Sequence, residues 1–170
     1  AMQEGSRIHR MIQKRMGPDY KAEVPLVHNI EYDGFTLRLE GRADGIIDGN
    51  DEISATIDEI KCIYTDLLFI EEPRSIHKAQ AMCYGYIYGV QNELETIDIQ
   101  LTYVNIDSEE VKRFNETMSL HTLKNWFMDV LDEYSKWAKY LYEHMRNMKE
   151  TAMKLEFPYE YRAGQREVAV

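Results

Sequence analysis

The sequence predicts an α/β protein with a central mixed sheet flanked by helices and a long amphipathic helix towards its end. Two observations carry this expectation. Segments whose apolar residues recur every three or four positions are interspersed with segments whose apolar residues alternate by two. Turn signals fall between them: Gly17-Pro18, Tyr32-Asp33-Gly34 and Asp48-Gly49-Asn50-Asp51. The 170 residues suit one ordinary domain with a sizeable core.

Residues 3–16 read as the first helix, with Ile8, Met11 and Ile12 as its apolar stripe and Gly17-Pro18 as its stop. Residues 23–31 read as a strand, followed by a hairpin turn and a second strand over 35–47. In that second strand Leu37, Leu39, Gly41, Ala43 and Gly45 share one side, and Arg38, Glu40, Arg42 and Asp44 the other. The turn at 48–51 leads into a third strand over 53–63, paired antiparallel with the second. After Pro73 a helix runs over 75–90, with Ser75 as its N-cap. Residues 96–106 make a further strand, and 111–118 one more. Residues 120–153 carry Leu123, Trp126, Val130, Tyr134, Trp137, Leu141, Met145 and Met148 at helical spacing. That long helix suits core packing or homodimerisation. The domain is expected over 1–153, with a linker and the start of another domain over 154–170.

Composition is that of a soluble globular protein, with 44% apolar and 29% charged residues. No apolar run approaches the roughly 18 residues of a membrane helix, so no membrane partner is expected. The opening AMQEGSRIHR lacks the apolar region of a signal peptide. The two cysteines, Cys62 and Cys83, form neither a disulfide framework nor a CxxC pair. Reduced thiols in a cytoplasmic protein are the expectation. A net charge of −10 argues against a module that merely coats nucleic acid by wrapping phosphates. It leaves room for a nuclease, where a local cleft and a bound divalent cation offset the global field.

The chemistry centres on Glu59 and Lys61, two apart on a strand and therefore on one face. Such a pair is often only a surface salt bridge of little worth. Asp44, on the neighbouring strand, changes the picture. Two carboxylates converging from adjacent strands repel unless a cation lies between them, and such hard oxygen ligands suit magnesium or manganese. Lys61 would then orient or help deprotonate the attacking water, or stabilise charge on a transferring phosphoryl group. Spacing alone leaves ordinary strand surface as the other reading. Arg42 shares the side of Asp44 and is a candidate phosphate or carboxylate partner. Arg74, His77 and Lys78 are candidates for backbone-phosphate contacts, or equally a solvated helix end. His28 reads as a strand surface residue.

The run Gly41-Arg42-Ala43-Asp44, followed fourteen to seventeen positions later by Asp58-Glu59-Ile60-Lys61, resembles the core of the PD-(D/E)XK nuclease superfamily. More narrowly it is similar to the RecB-like and Cas4-like branch. Gly5 and His9 match that branch's Gly-x-x-x-His helix before the core, and Gln80 and Tyr84 its Gln-x-x-x-Tyr helix after it. The four pieces stand in family order and span residues 4–106. The resemblance implies a restriction-endonuclease-like fold and metal-dependent hydrolysis of DNA, single-stranded or at ends. It implies His9, Asp44, Glu59 and the backbone carbonyl of Ile60 as ligands of Mg2+ or Mn2+, with Lys61 as the catalytic lysine. Gln80 and Tyr84 would position substrate phosphate or a ligating side chain. Without the resemblance, His9 is an ordinary helix residue and Tyr84 a buried tyrosine beside an amide. Gly5 would let the first helix approach the sheet closely.

Two departures bear on this. Some relatives hold an iron–sulfur cluster with one cysteine ahead of the core and three behind it. Here both cysteines lie within the core, so no cluster is expected. The aspartate motif lacks its proline, as is usual in the RecB-like branch. The segment Phe157-Pro158-Tyr159 followed by Arg162 and Gln165 resembles the opening of XPD/DinG-like DNA helicases, which implies a helicase domain in cis. A non-cleaving DNA-binding module of a helicase is the alternative, marked by loss of an acidic residue or the lysine; none is missing.

Overall fold

A two-residue turn organises the first half of the sheet. Gly34 takes φ +90°, a backbone conformation that glycine adopts without steric cost. Across it Tyr32 pairs with Phe35, their rings stacked at 5.1 Å. From this turn β1 (Tyr20–Tyr32) and β2 (Phe35–Ile47) run antiparallel until Tyr20 stands opposite Ile47. β3 (Thr56–Ile63) pairs antiparallel with β2 only from Gly45 to Ile47. It pairs parallel with β4 (Thr96–Asn105) along its whole length, and β5 (Val111–Ser119) returns antiparallel on β4. The sheet is therefore mixed, in the order β1-β2-β3-β4-β5. A parallel step needs a crossover, here a 3-10 turn, Leu67–Phe69, and α2 (Ser75–Gln91). Helices α1 (Met2–Arg15) and α3 (Leu120–Met153) complete the α/β architecture that the pattern of the sequence predicts. This computed structural model describes residues 2–49, 54–155, 159, 160, 162 and 164, without the side chains of Met2 and Gln3.

Helices cover the sheet through two separate cores. Ala81, Met82, Tyr86 and Ile87 of α2 pack with Ile57, Ile97, Ile99 and Leu101 of the central strands, joined by Leu123, Phe127 and Leu131 of α3. Ile8 and Ile12 of α1 pack with Ile60 and Val104 in the smaller core. Each fully buried isoleucine of α1 contributes about 1.5–3 kcal/mol, and together they fasten an otherwise polar helix to β3.

Several details depart from the sequence reading. Helix α2 is capped at Arg74, not Ser75, and no side chain accepts a bond there. The buried Tyr103 hydroxyl serves instead: it accepts the Arg74 N–H at 3.0 Å and lies 2.8 Å from His77 Nδ1. The buried register of α3 is Leu123, Phe127 and Leu131, while Val130 is exposed and Trp126 only partly covered. His28 is not plain strand surface, because its ring meets Tyr86 at 5.8 Å and Phe127 at 6.0 Å. Of the expected turn at 48–51, Asn50 and Asp51 lie outside the described residues, as does Ile53; β3 begins at Thr56.

The chain divides into two compact units, Ala1–Leu131 and Asp132–Val170. The second holds the remainder of α3, where Tyr134, Trp137, Tyr140, Met145 and Met148 are exposed. Trp137 stacks on Tyr140 at 5.5 Å, and Tyr140 on His144 at 5.9 Å, as helical spacing allows. Phe157, Pro158 and Gln165, which carry the helicase resemblance, lie outside the described residues. Among the described residues no helix is long and apolar enough to cross a membrane.

Candidate active site

The site grows from a fork in the sheet. Pairing of β2 with β3 stops at Gly45 opposite Asp58, so the next inward N–H of β3, that of Ile60, has no strand partner on this side. A buried N–H must find an acceptor, and Ile60 N–H donates to Asp44 Oδ2 at 2.7 Å. The regular alternation of β2 slips at the same place. Ala43 and Ile46 belong to one core although three residues apart, whereas a regular strand sends such residues to opposite faces. Across from Asp44, between the pairs Ala22–Gly45 and Val24–Ala43, Glu23 holds φ +57°. A non-glycine residue in this region is strained and is held there by its surroundings.

On one flank of Asp44 stands α1. His9 Nδ1 lies 3.7 Å from Asp44 Oδ1. One ligand atom each from His9, Glu23 and Asp44 fall within 4.8 Å of one another. Gln13, one turn beyond His9, donates to Glu23 Oε1 at 3.0 Å and to the Asp44 carbonyl at 2.9 Å. Arg42 reaches Glu23 Oε2 at 3.4 Å. His9, Arg10, Gln13, Glu23 and Arg42 line an open cavity of about 430 Å³.

On the other flank stands Glu59, only 1% exposed. Lys61 Nζ donates to Glu59 Oε1 at 2.5 Å and to Gln80 Oε1 at 3.1 Å, and Gln80 Nε2 donates to Tyr84 OH at 3.4 Å. Glu59 Oε2 is buried and has no hydrogen-bond partner among the described residues. Burial, then the Asp44 charge, push the Glu59 carboxyl up to about 7 against the pull of Lys61. Burial also raises Asp44, which the Ile60 N–H, His9 and Lys61 partly offset. The glycine of Gly41-Arg42-Ala43-Asp44 seats this flank: a Cβ at Gly41 would stand 2.7 Å from the Tyr84 ring.

Of the residues that the sequence singles out, His9, Asp44, Glu59, Lys61, Gln80 and Tyr84 thus gather around the fork, and Arg42 borders it. Ile60 contributes its N–H to Asp44 and its side chain to the α1 core. Arg74 and Lys78 stand instead at the start of α2. Lys78 is bound to Glu116 at 2.5 Å, and Arg74 and Lys78 line a depression that also holds Glu71 and Glu72. His77 is pulled down by burial and by the charges of Lys61 and Arg74. Gly5 does not serve close packing, since a Cβ there would meet nothing within 4 Å; its carbonyl accepts the Cys62 thiol at 3.7 Å.

Sequence reasoning missed Glu23, Gln13 and the seat of Asp58. Gln13 is four residues after His9, so the shared helical face was legible. Glu23 carried no signal, because its role depends on a kinked backbone. Asp58 is fully buried and accepts the hydroxyls of Tyr20 at 2.9 Å and Thr102 at 2.5 Å.

No family model and no curated protein matches the chain. Solved structures do. The crystal structure of SSO0001 superposes with a TM-score of 0.51 at 22% identity, over 75% of this chain and 57% of that one. The likeness is one of fold: a central sheet flanked by helices. The chain spans little more than half the length of that protein.

Proposed function

We propose that this chain is a divalent-metal-dependent deoxyribonuclease of the PD-(D/E)XK type, related to the RecB-like branch and built on a restriction-endonuclease-like core. The observation that carries the reading is Glu59. It is a buried carboxylate tied by one oxygen to Lys61, with the other oxygen unpartnered and a second carboxylate, Asp44, raising its proton affinity. Burying such a charge is costly unless something positive completes it. The donor set of carboxylate oxygens and one imidazole fits a hard divalent cation such as Mg2+ or Mn2+. His9, Asp44, Glu59 and the Ile60 carbonyl would hold it. When bound, the cation lowers the pKa of its water and offsets charge on a phosphoryl oxygen.

The chain's own residues supply the rest. Lys61 spends two of its three donors on Glu59 and Gln80, which fixes the ammonium and leaves one N–H for a phosphate oxygen or the attacking water. Gln80, held from behind by Tyr84, keeps the lysine from turning away. Arg42, at the open edge, is placed to meet the DNA backbone. The substrate is single-stranded DNA or DNA ends, delivered in the cytoplasm by a helicase domain of the full-length protein, as the segment after Lys154 suggests by resemblance.

The test is cleavage of end-labelled single-stranded DNA with Mn2+ or Mg2+, comparing the protein with Lys61→Ala. Metal-dependent cutting that disappears in the variant is the expected result. Failure of folded, metal-supplied protein to cut, or cutting that survives the substitution, overturns the reading.

A further inference from the structure

We infer that Glu23 is a ligand of the same cation, so that β1 contributes a carboxylate to the centre alongside α1, β2 and β3. The inference rests on the metal reading above and deepens it by assigning a residue that neither spacing nor family resemblance supplies.

Three observations lead to Glu23. The first is distance: the carboxylate that stands with His9 and Asp44 inside 4.8 Å is that of Glu23, while Glu59 lies outside the trio, bound to Lys61. The second is how Glu23 is held. Its left-handed backbone sits directly across from Asp44, where the strand alternation slips. Gln13 ties its Oε1 to the Asp44 carbonyl through one amide group, which places Oε2 towards the open cavity. Among the described residues its hydrogen-bond partner is Arg42, at the long distance of 3.4 Å. The third is Glu59 Oε2, which is buried and has no hydrogen-bond partner among the described residues. Three carboxylates, Glu23, Asp44 and Glu59, thus gather at one fork, with Lys61 bound to Glu59, Arg42 bound to Glu23 and Arg10 lining the same cavity. An imidazole beside several carboxylates is a donor set that manganese accepts.

The geometry also gives Arg42 a defined part. It holds Glu23 Oε2 from a position that is already exposed, so it would compete with a cation for that oxygen.

The experiment is calorimetric titration of the folded protein with Mn2+ in the absence of DNA, for wild type, Asp44→Asn, Glu23→Gln, Arg42→Ala and the double variant Glu23→Gln/Arg42→Ala. Wild type should bind Mn2+, Asp44→Asn should lose it, and Glu23→Gln should bind about tenfold or more weakly, the scale on which groups around a metal act. Arg42→Ala should bind more tightly than wild type, and that gain should vanish in the double variant because the two residues share one oxygen. Glu23→Gln binding Mn2+ as wild type does, while Asp44→Asn does not, overturns the assignment of Glu23 and leaves the metal reading intact. A wild-type protein that binds no Mn2+ overturns both. Circular dichroism of each variant separates lost binding from lost folding, and Glu23→Asp, which keeps the charge but withdraws the oxygen, serves if the glutamine variant unfolds.

Discussion

At Asp58 both carboxylate oxygens accept hydroxyls, from Tyr20 and Thr102, inside a fully closed pocket. One residue further on, Glu59 is just as buried, yet only one of its oxygens is bound, and it is bound to a lysine. Two consecutive carboxylates in one strand thus receive opposite treatment. The Asp58 seat is complete within the protein: each carboxylate oxygen has a neutral hydroxyl donor. The Glu59 seat is incomplete, with a like charge beside it and an oxygen left over. The two seats differ in whether the protein itself completes the hydrogen bonding of the acid, and under the proposed function that difference divides a structural acid from a chemical one.

The largest effect that could break this comparison is on cutting. If the proposed nuclease reading holds, Lys61→Ala should reduce DNA cleavage by on the order of 10²–10³-fold, as removal of a fixed charge-stabilising donor does, in protein that is still folded by circular dichroism but less stable, because the buried Glu59 loses its partner. Single-turnover cleavage with Mn2+ checks it. Asp58→Ala should behave in the reverse sense. It strands the buried Thr102 hydroxyl and the partly buried Tyr20 hydroxyl and should cost about 1–3 kcal/mol of stability, read from urea unfolding, with the cutting rate of the molecules that remain folded nearly retained. If Asp58→Ala abolished cutting in folded protein, the division between the two acids would fail.

How much of this was legible in the sequence follows the same line. The strand and helix order, the hairpin at Gly34 and the face shared by Glu59 and Lys61 all follow from periodicity, which depends on neighbours in the chain. The pairing of Gln80 with Lys61 and the seating of Tyr84 on Gly41 lie across elements; family resemblance brought Gln80 and Tyr84 to the site but gave neither contact. Glu23 and the hydroxyls on Asp58 were out of reach altogether. Glu23 depends on the slip in alternation beside Asp44, where the rule of two stops holding, and the Asp58 contacts depend on which strands become neighbours. The buried face of α3 was misread for a related reason. Large aromatics at helical spacing, Trp126 and Trp137, mark a stripe, but the sheet surface selects Leu123, Phe127 and Leu131.

A smaller effect sharpens the Glu59 side through pH. Its carboxyl is raised from an ordinary 4.5 to about 7 in the folded protein, so the native state holds the proton more tightly than the unfolded chain. Between those values the native state binds more protons, and stability falls as pH rises; the penalty is complete above about 7 and absent below about 4.5. In metal-free protein Glu59→Gln should therefore be more stable than wild type by on the order of 1–3 kcal/mol at pH 8, with the difference gone at pH 4.5. Thermal melts across that range check it. Adding Mn2+ at pH 8 should narrow the gap, because a cation that binds the wild-type native state stabilises it.

The smallest effect concerns the other end of the site, where sequence and structure disagree about one glycine. The family pattern gives Gly5 the task of bringing α1 close to the sheet. The structure gives that task to Ile8 and Ile12, both fully buried, and leaves open space around the position a Cβ would take at Gly5. A glycine in a helix that no close contact requires carries only its entropic cost. Gly5→Ala should then stabilise the protein by about 0.5–1 kcal/mol, leaving the Cys62 contact to the Gly5 carbonyl in place. Mn2+ affinity should be unchanged, since His9 is positioned by the helix and not by the gap. If instead the alanine lowered stability, or stability held and cutting fell, Gly5 would have to be reassigned from a passive position to one that DNA or a moving α1 approaches during the reaction. Melting temperature and cleavage rate measured on the same sample separate these outcomes.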